Sequence, residues 1–259
     1  MAVIKKFRIT KFKNKKPFIS LKNISLSFKK NHLILDNISL EISKGQIIGL
    51  LGPNGTGKSS LMNIITGLIK PNYGGIIIND EDITRYPIYK RTKKFKISFV
   101  PQSGGYFADL STENNMFAIA ELLIKDKEER NFKIEKLISR FELDGVRKVE
   151  AKYLSGGMKR RLVISMSLIG EPEILLMDEP LAALDPQTIQ MLQSIIVNLQ
   201  AQDNLTIIIT DHQARDLLVV CDKAIILSNS KIVAEGSPNE LLINENATKH
   251  YFGHNFKIK

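Results

Sequence analysis

The run Gln46-Ile-Ile-Gly-Leu-Leu51, continuing as Gly52-Pro-Asn-Gly-Thr-Gly57-Lys58-Ser59-Ser60, decides the fold. Its first half is a short, wholly apolar strand of the kind buried on both faces. Gly52 to Gly57 break the strand, and Lys58 to Ile69 reads as a helix ending before Pro71. Strand, glycine loop and helix begin an α/β sheet. The loop fits G-x-x-x-x-G-K-[ST], a pattern whose main-chain N–H groups curl around phosphate oxygens where glycines remove the Cβ obstruction. The helix N-terminus adds its positive dipole end. Lys58 is expected to reach the β- and γ-phosphates of a nucleotide, and Ser59 to ligate Mg²⁺ through its hydroxyl. Pro53, Asn54, Gly55, Thr56 and Ser60 complete the expected cradle with Gly52 and Gly57.

Outward from this loop, Phe18 to Phe28 and Leu33 to Ile42 alternate apolar and polar residues, a strand signal. Residues 74–100 read as short strands, Gly75 to Ile78 and Ile97 to Val100. From about Ser103 to Ile169 the spacing is helical; Asn114 to Lys125 and Glu128 to Phe141 each place apolar residues on one side. Alternation of strand and helix then resumes through Ile174–Met177, Pro186–Gln200, Thr206–Thr210, Lys223–Leu227 and Ile232–Ala234. A helical insert, about 103–170, thus interrupts one α/β core spanning 18–259.

Two further constellations carry chemistry. Ile174-Leu-Leu-Met-Asp178-Glu179 is a dry strand ending in two acids, and unpaired charge at such a place is costly. Asp178 is placed to hold Mg²⁺ through a water, and Glu179 to orient or polarise the attacking water. Phosphoryl transfer needs mainly such positioning and charge neutralisation. Leu154-Ser155-Gly156-Gly157-Met158 precedes a helix; Ser155 is a good N-cap and the glycines expose main-chain donors. By itself such a run is as well read as a capped helix with no ligand. Read as a second anion site in a chain with one nucleotide loop, it most economically serves a nucleotide bound to another copy.

Composition bounds the rest. The chain has 259 residues, and 37 lysines and arginines against 27 acids leave a net charge of +10. Its length suffices to bury a core without disulfides or metal clips. The single cysteine, Cys221, rules out an internal disulfide and a multi-cysteine metal site, and fits a reducing compartment. No apolar run approaches the ~20 residues of a spanning helix, and the basic first 20 residues lack the apolar core of a secretory leader. The chain is expected to stay in the compartment where it is made. Lys5, Lys6, Arg8, Lys11, Lys13, Lys15 and Lys16 crowd the tail at 1–17. That tail could meet anionic lipid or nucleic acid, or simply be a solvated end.

In order, the phosphate loop, Gln102, Leu154 to Met158, Asp178-Glu179, Leu184-Asp185-Pro186 and His212 resemble the ATP-binding cassette (ABC) ATPases, from about Phe18 to Phe256. The resemblance implies a P-loop NTPase core with an N-terminal antiparallel β subdomain and an inserted α-helical subdomain. It implies ATP with Mg²⁺, and a homodimer. Phe28 matches the aromatic that stacks on adenine. Gln102 matches the glutamine that meets Mg²⁺ and senses a membrane partner. Ser155 and Gly157, flanking Gly156, match the clamp on the γ-phosphate of the opposite subunit. Asp185 matches a dimer contact, and His212 the switch histidine at the γ-phosphate. Met158 departs from the usual Gln or Glu, and Ser59-Ser60 stands where Thr-Thr or Ser-Thr is common.

Thr210-Asp-His212-Gln-Ala-Arg215, Cys221-Asp-Lys, Gly236-Ser-Pro-Asn-Glu-Leu and Tyr251-Phe-Gly253-His-Asn-Phe256 resemble the ATPases of lipopolysaccharide export systems. That group implies a peripheral protein on the cytoplasmic face of the inner membrane, with lipopolysaccharide as indirect cargo. Two membrane permease subunits would dock near Tyr106, Phe107 and Leu110, where Ala108 and Asp109 replace basic residues of the group. Branched-chain amino acid import ATPases share a similar tail but usually carry Glu before the switch histidine. A soluble ABC ATPase acting on nucleic acid or ribosomes is favoured weakly by the +10 charge. Such proteins usually carry two cassettes or a coiled-coil insert, so no direct nucleic-acid contact is expected.

Overall fold

Alternating apolar residues give β1 (Ile19–Lys29) and β2 (His32–Ile42), which pair antiparallel. The computed structural model describes residues 16–29, 32–253 and 256. Most of the basic tail, 1–15, lies outside the described residues; of the rest, Lys16 pairs with Asp80 at 2.7 Å. With β4 (Tyr73–Ile78) and β5 (Glu81–Asp82) the first two strands form an antiparallel sheet of order β2-β1-β4-β5.

The second sheet has order β10-β9-β3-β8-β7-β6. Its strands are β3 (Ile47–Leu51), β6 (Ile97–Val100), β7 (Ile174–Asp178), β8 (Thr206–Thr210), β9 (Lys223–Ser228) and β10 (Lys231–Gly236). All five residues of β3, of β7 and of β8 are buried. Alternation across the pleat explains this. Ile48 and Leu50 join the core shared with the antiparallel sheet, whereas Ile47 and Leu51 join the core beneath the helices on the other face. Strands β6, β7, β8, β3 and β9 run parallel, so their carboxyl ends share one edge. The loops after β3, β6, β7 and β8 therefore converge there, the usual place for a ligand crevice in such sheets.

The helices are α1 (Lys58–Thr66), α2 (Ile88–Phe95), α3 (Thr112–Leu123), α4 (Lys127–Arg140), α5 (Gly156–Ser167), α6 (Pro186–Asp203) and α7 (Ala214–Leu218). Short turns at Pro238–Leu242, Glu245–Ala247 and Thr248–Phe252 close the described chain. Helices α3, α4 and α5 lie between β6 and β7 in the chain and pack on one another. Helix α1 stops three residues sooner than its apolar spacing suggests. Gly67 adopts φ +86°, a left-handed cap that ends the helix.

Helix α2 departs from the expectation of short strands across 74–100. Its one buried residue is Arg91, so no apolar period marks it. The Arg91 guanidinium donates to the carbonyls of Ile64 (2.6 Å), Ile65 (2.9 Å), Thr84 (2.9 Å) and, through Nε, Tyr86 (2.8 Å). It thereby satisfies the open carbonyls at the end of α1. Burial brings its pKa down to about 10, so the charge is retained. Arg91→Ala removes this donor from all four carbonyls, of which Ile64 keeps the Gly67 N–H at 3.2 Å. It should lower the unfolding free energy by about 3 kcal/mol in a denaturant titration, the cost of charged hydrogen bonds lost in a buried place. A loss under ~1 kcal/mol would contradict this assignment.

Candidate active site

The phosphate loop runs from β3 into α1. Gly52 has φ +148°, and a Cβ there would stand 2.2 Å from the Leu227 carbonyl oxygen, so only glycine lets the chain turn off the strand. Gly57 is the N-cap of α1 and offers no side-chain acceptor, which leaves the first N–H groups of the helix to a ligand. Lys58 is buried and folds back over the loop, donating to the carbonyls of Gly52 (2.7 Å) and Pro53 (3.0 Å). Thr56 Oγ1 also donates to Pro53, at 2.9 Å. Burial pushes the Lys58 pKa down, against the pull of Glu179, Asp178 and Asp211. The Lys58 cation beside the open N–H groups at the start of α1 suits a polyphosphate anion.

The acids arrive from β7. Asp178 accepts from Thr210 Oγ1, its β8 neighbour, at 2.5 Å and from Ser59 Oγ at 3.3 Å. Ser59 and Asp178, each expected at the same ion, thus lie within hydrogen-bond reach of one another. Glu179 stands at φ +46°, an uncommon conformation for a residue with a Cβ. Its N–H is held by Thr210, both carbonyl and hydroxyl, at 3.0 Å. The turn aims its carboxylate at two partners: Gln102 Nε2 donates to Oε2 at 2.7 Å, and His212 Nδ1 lies 3.4 Å from the same oxygen. Gln102, Glu179 and His212 come from the ends of β6, β7 and β8.

Three supporting residues escaped the sequence reading as site members. Thr210 is named above. Asp211 is fully buried and accepts from Gln213 N (2.9 Å) and Leu181 N (3.3 Å), tying the β8 exit to the loop after Glu179. Burial raises its carboxyl above the ordinary range. Tyr251 Oη donates to the His212 carbonyl at 3.0 Å, and burial pushes this phenol up to about 12, so it remains a donor. The Thr-Asp-His run was the available signal for the first two, and the tail run beginning at Tyr251 for the third, though that run carried a resemblance and no role for the phenol.

The other expected residues sit apart from this cluster. Phe28 is 61% exposed near the end of β1, free to present its ring to a base. Ser155 caps α5, accepting from Met158 N at 3.2 Å, and Met158 packs on the core. An added Cβ would bring Gly157 2.7 Å from Thr188 and Gly156 3.4 Å from Leu184. Asp185 caps α6 through Gln187 N and Thr188 N, both at 3.0 Å. The Thr188 hydroxyl and these N–H groups hold its carboxyl below the ordinary range. The signature and the turn at Asp185 thus pack side by side, with Ser155, Gly156 and Asp185 exposed.

Beyond Gln102, Phe107 is 52% exposed and Leu110 36%, while Tyr106 packs on the core. The fully buried Asn115 shapes this loop. It accepts from Phe107 N (2.7 Å) and donates to the carbonyls of Phe107 (3.0 Å) and Leu110 (3.1 Å). Asp109 pairs with Lys152 at 2.9 Å.

The family model described as ABC transporter matches residues 35–182. The lipopolysaccharide export system ATP-binding protein LptB of Escherichia coli K12 is 34% identical over 243 residues, 93% of this chain and 99% of that protein. LptB of Haemophilus influenzae is 34% identical over the same shares. CbiO1 of Clostridium perfringens, part of an ABC transporter complex, superposes with a TM-score of 0.82 at 24% identity, covering 91% of this chain and 94% of its own. The ADP conformation of MJ1267, an ATP-binding cassette, gives 0.80 at 24%, covering 93% of this chain and all of its own. These two likenesses establish the fold.

Proposed function

Because the chain belongs to the ABC transporter family and is an ATP-hydrolysing subunit of it, we propose that it drives lipopolysaccharide export with separate membrane subunits. The observation that carries this reading is the 34% identity to LptB across nearly the whole of both chains. The fold supports one nucleotide-binding domain over 18–259 with a helical subdomain at about 103–170.

In the proposed cycle two copies close head to tail on two ATP molecules. Lys58 and the N–H groups of the loop from Gly52 to Ser60, Pro53 excepted, hold the phosphates, and Phe28 stacks on adenine. Hard oxygens suit Mg²⁺, which binds proteins through few groups plus nucleotide phosphates. Ser59 Oγ and Asp178 Oδ1, 3.3 Å apart beside Lys58, fit that donor set, with Gln102 joining them. When bound, the ion supplies neutralisation of the β- and γ-phosphate charge. Glu179 orients the water, His212 contacts the γ-phosphate, and Ser155 and Gly157 clamp the γ-phosphate held by the other copy. Asp185 lies at that dimer contact. Loss of the γ-phosphate charge releases Ser155, and the different affinities of ATP and ADP for the closed state supply the coupling.

No helix among the described residues is long and apolar enough to cross a membrane. Phe107 and Leu110 offer an apolar contact. A groove of about 880 Å³, lined by Tyr89, Ile119, Leu122, Leu123, Val163 and Met166, opens beside Gly105. Phe107→Ala should abolish most partner-stimulated turnover yet leave Mg-ATP affinity unchanged within about twofold, since buried aromatic anchors dominate docking. Loss of ATP binding by this variant would refute the assignment. Recovery of the chain from detergent-solubilised membranes tests the cargo. Two permease subunits of an exporter are expected; an amino acid import system or bound nucleic acid would overturn the proposal.

A further inference from the structure

Arg160 lies on α5, five residues beyond Ser155, and its side chain crosses to the catalytic edge of the sheet. Its Nη1 donates to the Pro101 carbonyl (2.9 Å), and its Nη2 to the carbonyls of Gln102 (2.9 Å) and Glu179 (3.4 Å). One guanidinium therefore holds the backbone of both residues whose side chains meet at 2.7 Å. Burial lowers its pKa, against the pull of Asp211 and Asp178. Arginine suits this place because its planar fork reaches several carbonyls from one position; a lysine ammonium is a point donor on a flexible stem.

The helix bearing Arg160 begins at Ser155, which the proposed cycle places on the nucleotide of the other copy. We infer that Arg160 is a positioning residue that registers Gln102 and Glu179 against the signature helix. Closure of Ser155 on the opposite nucleotide and alignment of Glu179 in the chain's own site are then one movement. This rests on the reading of Glu179 as the residue that orients the water. Glu179 holds a left-handed backbone without being a glycine, so its aim depends on what grips its two peptide groups: Thr210 on one side, and Arg160 (3.4 Å) together with the Ala182 N–H (3.3 Å) on the other.

The test uses the full-length chain with Arg160→Lys, Gln102→Ala and the double variant. Thermal midpoints are read first, and Arg160→Gln, which keeps a neutral donor, replaces the lysine variant if that one unfolds. Misplacing reacting groups by ~1 Å costs up to about a hundredfold, so Arg160→Lys should lower kcat by tenfold or more, with Mg-ATP affinity within about threefold. In the Gln102→Ala background the same change should cost less than about threefold further, because residues acting through one another are not additive. A folded Arg160→Lys protein with kcat within about twofold of the parent overturns the inference, as does full additivity. Glu179→Gln run alongside separates the two ideas: normal turnover there sinks the reading of Glu179, whereas normal turnover in Arg160→Lys alone sinks only the present one.

Discussion

Glu179→Gln is expected to bind Mg-ATP with near-parental affinity and to turn it over about 10³-fold more slowly, within the range for loss of a positioned base. The substitution keeps size and shape. It removes the acceptor charge that faces His212 Nδ1 and replaces an oxygen at the spot where Gln102 now donates. Lys58, Ser59 and Asp178 are untouched, so binding persists. With hydrolysis blocked, the closed pair should accumulate, visible as a dimer in size-exclusion chromatography with Mg-ATP and absent with ADP. Hydrolysis at the parental rate would remove Glu179 from the mechanism.

The second large effect concerns the split site. Lys58→Ala removes the buried cation from the loop, where it donates to the carbonyls of Gly52 and Pro53. Ser155→Arg puts bulk and charge on the signature. The serine also caps α5, and losing a cap costs about 1 kcal/mol, too little to unfold a domain of this size. Each variant alone should be almost inactive. A mixed pair, however, contains one pocket with both defects and one with neither. If subunits exchange freely, half the pairs are mixed and about a quarter of parental activity returns, as head-to-tail symmetry requires. Mixing that restores nothing, or full-speed hydrolysis by a strict monomer, would dismiss the two-copy site.

Legibility in the sequence followed the range of the interactions. The phosphate loop was plain because each of its requirements is local: a dry strand, glycines where the chain turns sharply, and a lysine at a helix start. The alternation in β1 and β2 was plain for the same reason. Helix α2 was not, since its buried residue is the charged Arg91, which serves carbonyls up to 27 residues away. The two-residue strand β5 is too short to carry any period.

By itself, then, the sequence determined the α/β core, the nucleotide loop, the acids at the end of β7 and the capped signature, all of which rest on neighbours within a turn or a strand. Only the tertiary structure decided that Gln102, Glu179 and His212 share one oxygen, that Thr210 binds Asp178, and that Arg160 grips two loops at once. Those contacts join residues up to 77 positions apart. They exist because parallel strands bring their carboxyl ends to a common edge, a consequence of packing that no local pattern records.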